Sequence, residues 1–154
     1  MDEECIDDLK KKYKYNINAN YKQYDIIFVN LSIKCYSGIC NLIEKIEELI
    51  QKLKGYKGSK SEDAQKYLIK MMEKLNYYNI LRIKLREDMV YYTKLIRNII
   101  AELEIHLKIQ NLEEICLRIL KEILNSKVQQ YIKFDKYIIN LLNLIQHINI
   151  LFYF

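Results

Sequence analysis

Proline and tryptophan are absent from this 154-residue chain, and glycine occurs only at positions 38, 55 and 58. With so few breakers the chain has few places to turn sharply, which argues against a fold built on many tight turns. Only two histidines are present, His106 and His147. The four cysteines, Cys5, Cys35, Cys40 and Cys116, follow no regular spacing and include no Cys-x-x-Cys. A zinc site needs about four convergent ligands, so no metal is expected. Helical di-iron proteins use Glu-x-x-His, whereas "AELEIH" sets Glu102 and Glu104 four and two residues before His106. Gly-rich phosphate loops, nucleophile elbows and Walker-type lysines are also missing. With those carriers of chemistry gone, the expectation is a non-enzymatic protein without a cofactor.

A secretory signal is lacking as well. Residues 1–15 open with Met-Asp-Glu-Glu and hold no apolar run, so a reducing, intracellular and cytoplasmic setting is expected for the cysteines.

What the chain does contain is skewed. Ile, Lys, Tyr and Asn fill 74 of the 154 positions. Their codons are A/T-rich, which points to an A+T-rich genome such as that of a parasite, symbiont or large virus. That bias explains the abundance of Tyr, and of Lys over Arg, without invoking a site. The composition is 51% hydrophobic and 29% charged, enough for one domain with a sizeable core and too apolar for disorder. The net charge of +5 is mild and spread along the chain, unlike the focused basic patch of a dedicated nucleic-acid binder.

Helical periodicity runs through nearly the whole sequence. In residues 2–14 acidic side chains precede lysines, which complements the helix dipole, and Ile6, Leu9 and Tyr13 share one face. "NINAN" at 16–20 reads as a loop. "YDIIFVNLSI" has strand-like propensity but is assigned to a helix. Ile39, Leu42, Ile46, Leu49 and Leu53 alternate three and four apart, widened by Ile43 and Ile50, as on a core-facing helix that Gly55 ends. The loop at 55–61 carries Gly55 and Gly58. Ser59 with Glu62 matches a capping box there, and Ser61 competes as N-cap. Lys57 and Lys60 lie close to Lys52, Lys54 and Lys66. A solvated basic loop explains them, with a phosphate or anionic lipid as the alternative.

Beyond this loop, Leu68, Met71, Leu75, Tyr78, Leu85, Met89, Tyr92, Ile96, Ile99 and Leu103 fall on the a and d positions of one heptad frame. A continuous helix over 62–107 would span about 69 Å. It would have to protrude, pair, or break near "NYYN" at 76–79. "LRIKLR" (81–86) and "LEIHLKI" (103–109) alternate with period two, so a small β-ribbon is the structural alternative. Residues 112–124 continue the helical pattern, "NSK" at 125–127 reads as a turn, and a last helix starts near Val128.

Residues 137–154 contain no Asp, Glu, Lys or Arg. Eighteen residues meet the minimum for a membrane span, with Lys133 and Lys136 on the N-terminal flank. Against insertion stand Asn140, Asn143, Gln146, His147 and Asn149. Their cost of about 8 kcal/mol exceeds the gain of about 5 kcal/mol from the Leu, Ile and Phe residues. Asn140, Asn143 and His147 also share one face, so an amphipathic helix covered by protein is expected, with a tail anchor or membrane-surface helix as the alternative.

The reading that follows is an all-α helical bundle, a single helical domain over 1–154 with a long coiled-coil-like helix, acting as a protein–protein interaction or structural subunit. Two apolar seams are the expected interface: Leu85, Met89, Tyr92, Ile96, Ile99 and Leu103 in one, and Leu141, Leu142, Ile145 and Ile148 in the other. Self-association or a protein partner is implied. "KKKYKY" at 10–15 supports a weaker nucleic-acid alternative through phosphate contact and base stacking. Length and helix content are also compatible with a Bcl-2-like regulator by analogy of size alone, although that family's Asn-Trp-Gly-Arg signature is absent.

Overall fold

The computed structural model describes residues 21–105 and 110–153. A 3-10 turn at Tyr21–Gln23 leads into α1 (Tyr24–Lys54), followed by α2 (Ser61–Ile105) and α3 (Gln110–Tyr153). The protein is all-α, and the described residues contain no strand. The expected helix at 2–14, the "NINAN" loop, "KKKYKY", Cys5 and His106 lie outside the described residues.

Several boundaries differ from expectation. "LRIKLR" is helical throughout, as are Leu103–Ile105, so the β-ribbon is not formed among the described residues. Tyr78, Leu81 and Leu85 are buried at three- and four-residue spacing, and that burial decides against the period-two pattern. α2 passes through "NYYN" unbroken because Tyr78 is buried there. "NSK" is not a turn: α3 runs straight through it. Leu120, Leu124, Lys127, Val128 and Tyr131 are all buried at helical spacing, so packing outweighs the few tenths of a kcal/mol by which Asn and Ser disfavour a helix.

The loop is where expected, at residues 55–60. Its capping is different. The Lys60 carbonyl accepts the Ala64 N–H at 3.1 Å, which makes Lys60 the N-cap instead of Ser59 or Ser61. The Lys60 N–H donates to the Tyr56 hydroxyl at 3.3 Å. Tyr56 is held for this by an edge-on contact with Phe152, centroid to centroid 5.6 Å at 88°. A Cβ at Gly58 would collide with the Tyr56 ring, so a larger residue there requires that ring to shift. Glu62 and Asp63 in the first turn of α2 complement its dipole.

The chain divides into two compact units, and no linear boundary separates them because each draws on all three helices. In the first unit, residues 21–35 of the turn and α1, 86–105 of α2 and 110–135 of α3 pack together. Its core holds Tyr24, Phe28, Ile96, Ile100, Leu103, Leu120 and Leu124, with Met89, Tyr92, Ile99 and Cys116 packed at the margin. Each such aliphatic or aromatic side chain contributes about 1.5–3 kcal/mol on full burial. Tyr24, Phe28, Leu31 and Cys35 lie four, three and four residues apart, so tertiary burial holds the strand-prone "YDIIFVNLSI" as helix. At the surface of this unit Arg97 pairs with Asp25 at 3.3 Å and Lys22 with Glu104 at 4.0 Å.

The second unit comprises residues 36–54 of α1, the loop, 61–85 of α2 and 136–153 of α3. α1 buries Ile39, Leu42, Ile43, Ile46, Leu49, Ile50 and Leu53, the stripe read from the sequence. α2 contributes Ala64, Met71, Tyr78, Leu81 and Leu85, and α3 contributes Leu141, Ile145, Ile148 and Leu151.

Candidate interaction surface

The residues expected to form an interface are mostly spent inside the chain. Leu85, Ile96, Leu103, Leu141, Ile145 and Ile148 are buried, while Met89, Tyr92, Ile99 and Leu142 are half-buried. Six of these ten side chains are thus covered within the chain and four are covered in part. The amide-rich side of α3 faces outward, with Asn140, Asn143, Gln146 and His147 exposed.

Exposed apolar side chains occur on all three helices, among them a row on the opposite side of α2. In the second unit Ile69, Met72, Ile80 and Ile83 are 51–60% exposed, and Asn76 between them is exposed. The intervals along this stripe are three, four, four and three residues, the spacing that keeps side chains on one face of a straight helix. Met71, Tyr78, Leu81 and Leu85 take the inner face. α2 is thus apolar on two sides over this stretch, a pattern that calls for a partner on each. The heptad frame records the inner side alone, but the second stripe was visible in the sequence as four apolar residues out of phase with it.

Beside this face, a cavity of about 440 Å³ lies between α2 and α3 of the second unit, lined by Lys74, Tyr77, Tyr78, Tyr137, Asn140, Leu141 and Leu144. Burial pushes the Tyr78 hydroxyl up to about 12, with Tyr77 and Tyr137 adding to the shift. A cavity of about 330 Å³ between α1 and α3 is lined by Lys45, Glu48, Leu49, Lys52, Leu142, Ile145, Gln146 and Asn149.

The first unit holds a buried polar network that periodicity does not reveal. The Lys127 side chain is only 8% exposed. Its ammonium stands 3.9 Å from the centre of the Tyr92 ring, 3.5 Å from an Asp88 oxygen and 3.2 Å from Gln130 Oε1. Such a cation is tolerable because the ring face, the carboxylate and the amide oxygen replace its water. One helical turn along α3, Tyr131 lies 2.9 Å from Ser32 Oγ, and the Ser32 hydroxyl donates to the Phe28 carbonyl at 2.8 Å. Burial pushes the Tyr131 hydroxyl up to about 12. The Ser32 hydrogen bond opposes this, and nearby Cys35 and Asp88 add to it. Burial also raises Tyr24. These contacts tie α1 to α3 and α2 to α3, so the network fixes the register of three helices.

Cys35, Cys40 and Cys116 are not joined in disulfides. Among the described residues no three His, Cys, Asp or Glu side chains converge in a way that could hold a metal ion. Also among the described residues, one helix, Tyr21–Lys54, is long and apolar enough to cross a membrane. Of its most apolar stretch 39% is buried inside the fold, and the core helix of a soluble protein meets the same criterion. Compared with known proteins, the chain matches no family model, no curated protein and no solved structure.

Proposed function

We propose that the protein is a non-enzymatic helical interaction or structural subunit whose docking surface is the outer face of α2 in the second unit. The observation that supports this is the exposed stripe Ile69, Met72, Ile80 and Ile83, on a helix whose other apolar side is already satisfied. Apolar side chains at helical spacing with a polar residue among them suit a partner helix laid along the groove between their rows. The seams first expected to bind act instead as the frame that holds this face straight.

The test combines solution mass by light scattering, without detergent and over a concentration series, with binding of an apolar fluorescent dye. The expected result is a mass above the 18.7 kDa of one chain, or a monomer that binds dye through this face. The double variant Ile80→Glu, Ile83→Lys then removes the association or the dye signal while leaving helicity and Tm unchanged. A monomer that binds no dye, or a variant that behaves as the parent does, overturns the reading.

A further inference from the structure

The outer face of α2 has a symmetry of its own. Counted from Asn76, the exposed apolar residues stand at minus seven (Ile69), minus four (Met72), plus four (Ile80) and plus seven (Ile83). Turning the helix end for end about Asn76 lays Ile69 on Ile83 and Met72 on Ile80. Opposite a second copy lying antiparallel, this spacing sets apolar against apolar at each level, with residue i meeting j and j meeting i as in an isologous two-fold interface.

We infer that the occupant of this face is a second copy of the same chain, its α2 antiparallel to the first and the two-fold axis passing through Asn76. This rests on the function proposed above and specifies its partner. On the axis the two Asn76 amides meet, each able to donate its N–H to the other's oxygen, so that among antiparallel registers this one alone pairs the polar residue in the stripe. A slip by one helical turn would leave both amides against aliphatic side chains, at the cost of unpaired buried polar groups.

Charge favours the antiparallel sense. Glu73 and Lys84 are exposed on the same edge of the stripe. In the antiparallel pair Glu73 of one copy lies about 7.5 Å along the axis from Lys84 of the other, within reach of two long side chains, and the contact occurs twice by symmetry. Parallel pairing would put this edge of one copy on the opposite side of the interface from the same edge of the other, so the Glu73–Lys84 contact would not form.

Area is sufficient for a modest dimer. Four aliphatic side chains just over half exposed, with Asn76, Glu73 and Tyr77 at the rim, cover about 600 Å² per copy at about 100 Å² each for the larger ones. The pair therefore buries about 1,200 Å², at the lower end of specific interfaces, where association is reversible.

The experiment uses full-length chains with Cys5, Cys40 and Cys116 replaced by serine and buried Cys35 by alanine. Ile69→Cys and Ile83→Cys are made singly, and the two variants are mixed and mildly oxidised. Antiparallel pairing yields the mixed 69–83 disulfide in excess over both homodisulfides, and Asn76→Cys cross-links with itself. Asn76→Asp sets two like charges on the axis and weakens the dimer roughly a hundredfold at pH 7. Predominant 69–69 and 83–83 products mean a parallel pair and overturn the inference while leaving the interaction reading intact. So does a dye-binding monomer that forms no cross-link, or one that instead binds phosphatidylcholine–phosphatidylserine vesicles. A dye-free monomer overturns both.

Discussion

Lys127 Nζ sits 3.9 Å from the centre of the Tyr92 ring, with the Asp88 carboxylate 3.5 Å away on the same helix as the ring. A buried ammonium held by a ring face and a carboxylate is more useful for register than for raw stability, since a well-packed apolar side chain of equal length would meet no desolvation cost. Lys127→Met keeps the length of the stem and strands Asp88, whose side chain is 28% exposed and so keeps some water. The expected loss is about 1–2 kcal/mol. Asp88→Asn in the Lys127→Met background costs less than in the parent, with a coupling of about 1 kcal/mol in a double-mutant cycle by urea unfolding. Additive losses would show that the two side chains do not act as a pair.

Thr93 carries a buried hydroxyl with no hydrogen-bond partner among the described residues. Valine has the same shape without the polar group. Because an unsatisfied buried hydroxyl costs about 1–3 kcal/mol, Thr93→Val is expected to stabilise the protein by about 1 kcal/mol. Thr93→Ser, which keeps the hydroxyl and loses the methyl, is expected to destabilise it. Equal midpoints for all three chains in urea would refute this account of the hydroxyl.

Gly38 lies within α1 at ordinary helical angles, and a Cβ added there meets nothing within 4 Å. No contact or backbone conformation calls for glycine at this position. Gly38→Ala should stabilise the fold by about 0.5–1 kcal/mol, mostly by reducing the freedom of the unfolded chain, and raise Tm by about 2 °C. A fall in Tm would show that a neighbouring side chain moves into that space.

Tyr78 and Tyr131 are both pushed up to about 12 by burial, against an ordinary 10.0 in the unfolded chain. A raised folded value means that the fold holds the protonated phenol. Stability from these groups is therefore complete below about pH 10 and is lost as pH rises toward about 12. Far-UV ellipticity and phenolate absorbance followed from pH 9 upward should show helix loss in that window. The Tyr78→Phe, Tyr131→Phe variant should show a flatter decline. Parallel curves for the two proteins would rule these tyrosines out as its source.

Periodicity made much of this architecture readable and misread it where a residue broke type. The stripe from Ile39 to Leu53 and the loop around Gly55 and Gly58 could be placed from spacing and breakers alone. Tyr78, Leu85, Ile96 and Leu103 share one heptad frame and are all buried, but spacing says only that a side is apolar and not whether the same chain or another covers it. Lys127 was missed because a lysine after Asn-Ser reads as a solvated turn. Its position seven residues after Leu120 and four before Tyr131 was the available signal, and accepting it would have required a carboxylate partner 39 residues away. The second stripe on α2 was overlooked for a related reason: one heptad frame absorbs attention, although a helix can be apolar on two sides.

The interleaving of the two units bears on how the protein is made. Residues 36–85 emerge early and can pair as a hairpin of α1 and α2, but the third segment of each unit belongs to α3. Neither core is complete on the ribosome until α3 has been synthesised, and the second unit waits for residues 136–153, after those of the first. Apolar faces on the nascent α1 and α2 stay uncovered through that interval, and no fragment cut at a single point retains both cores.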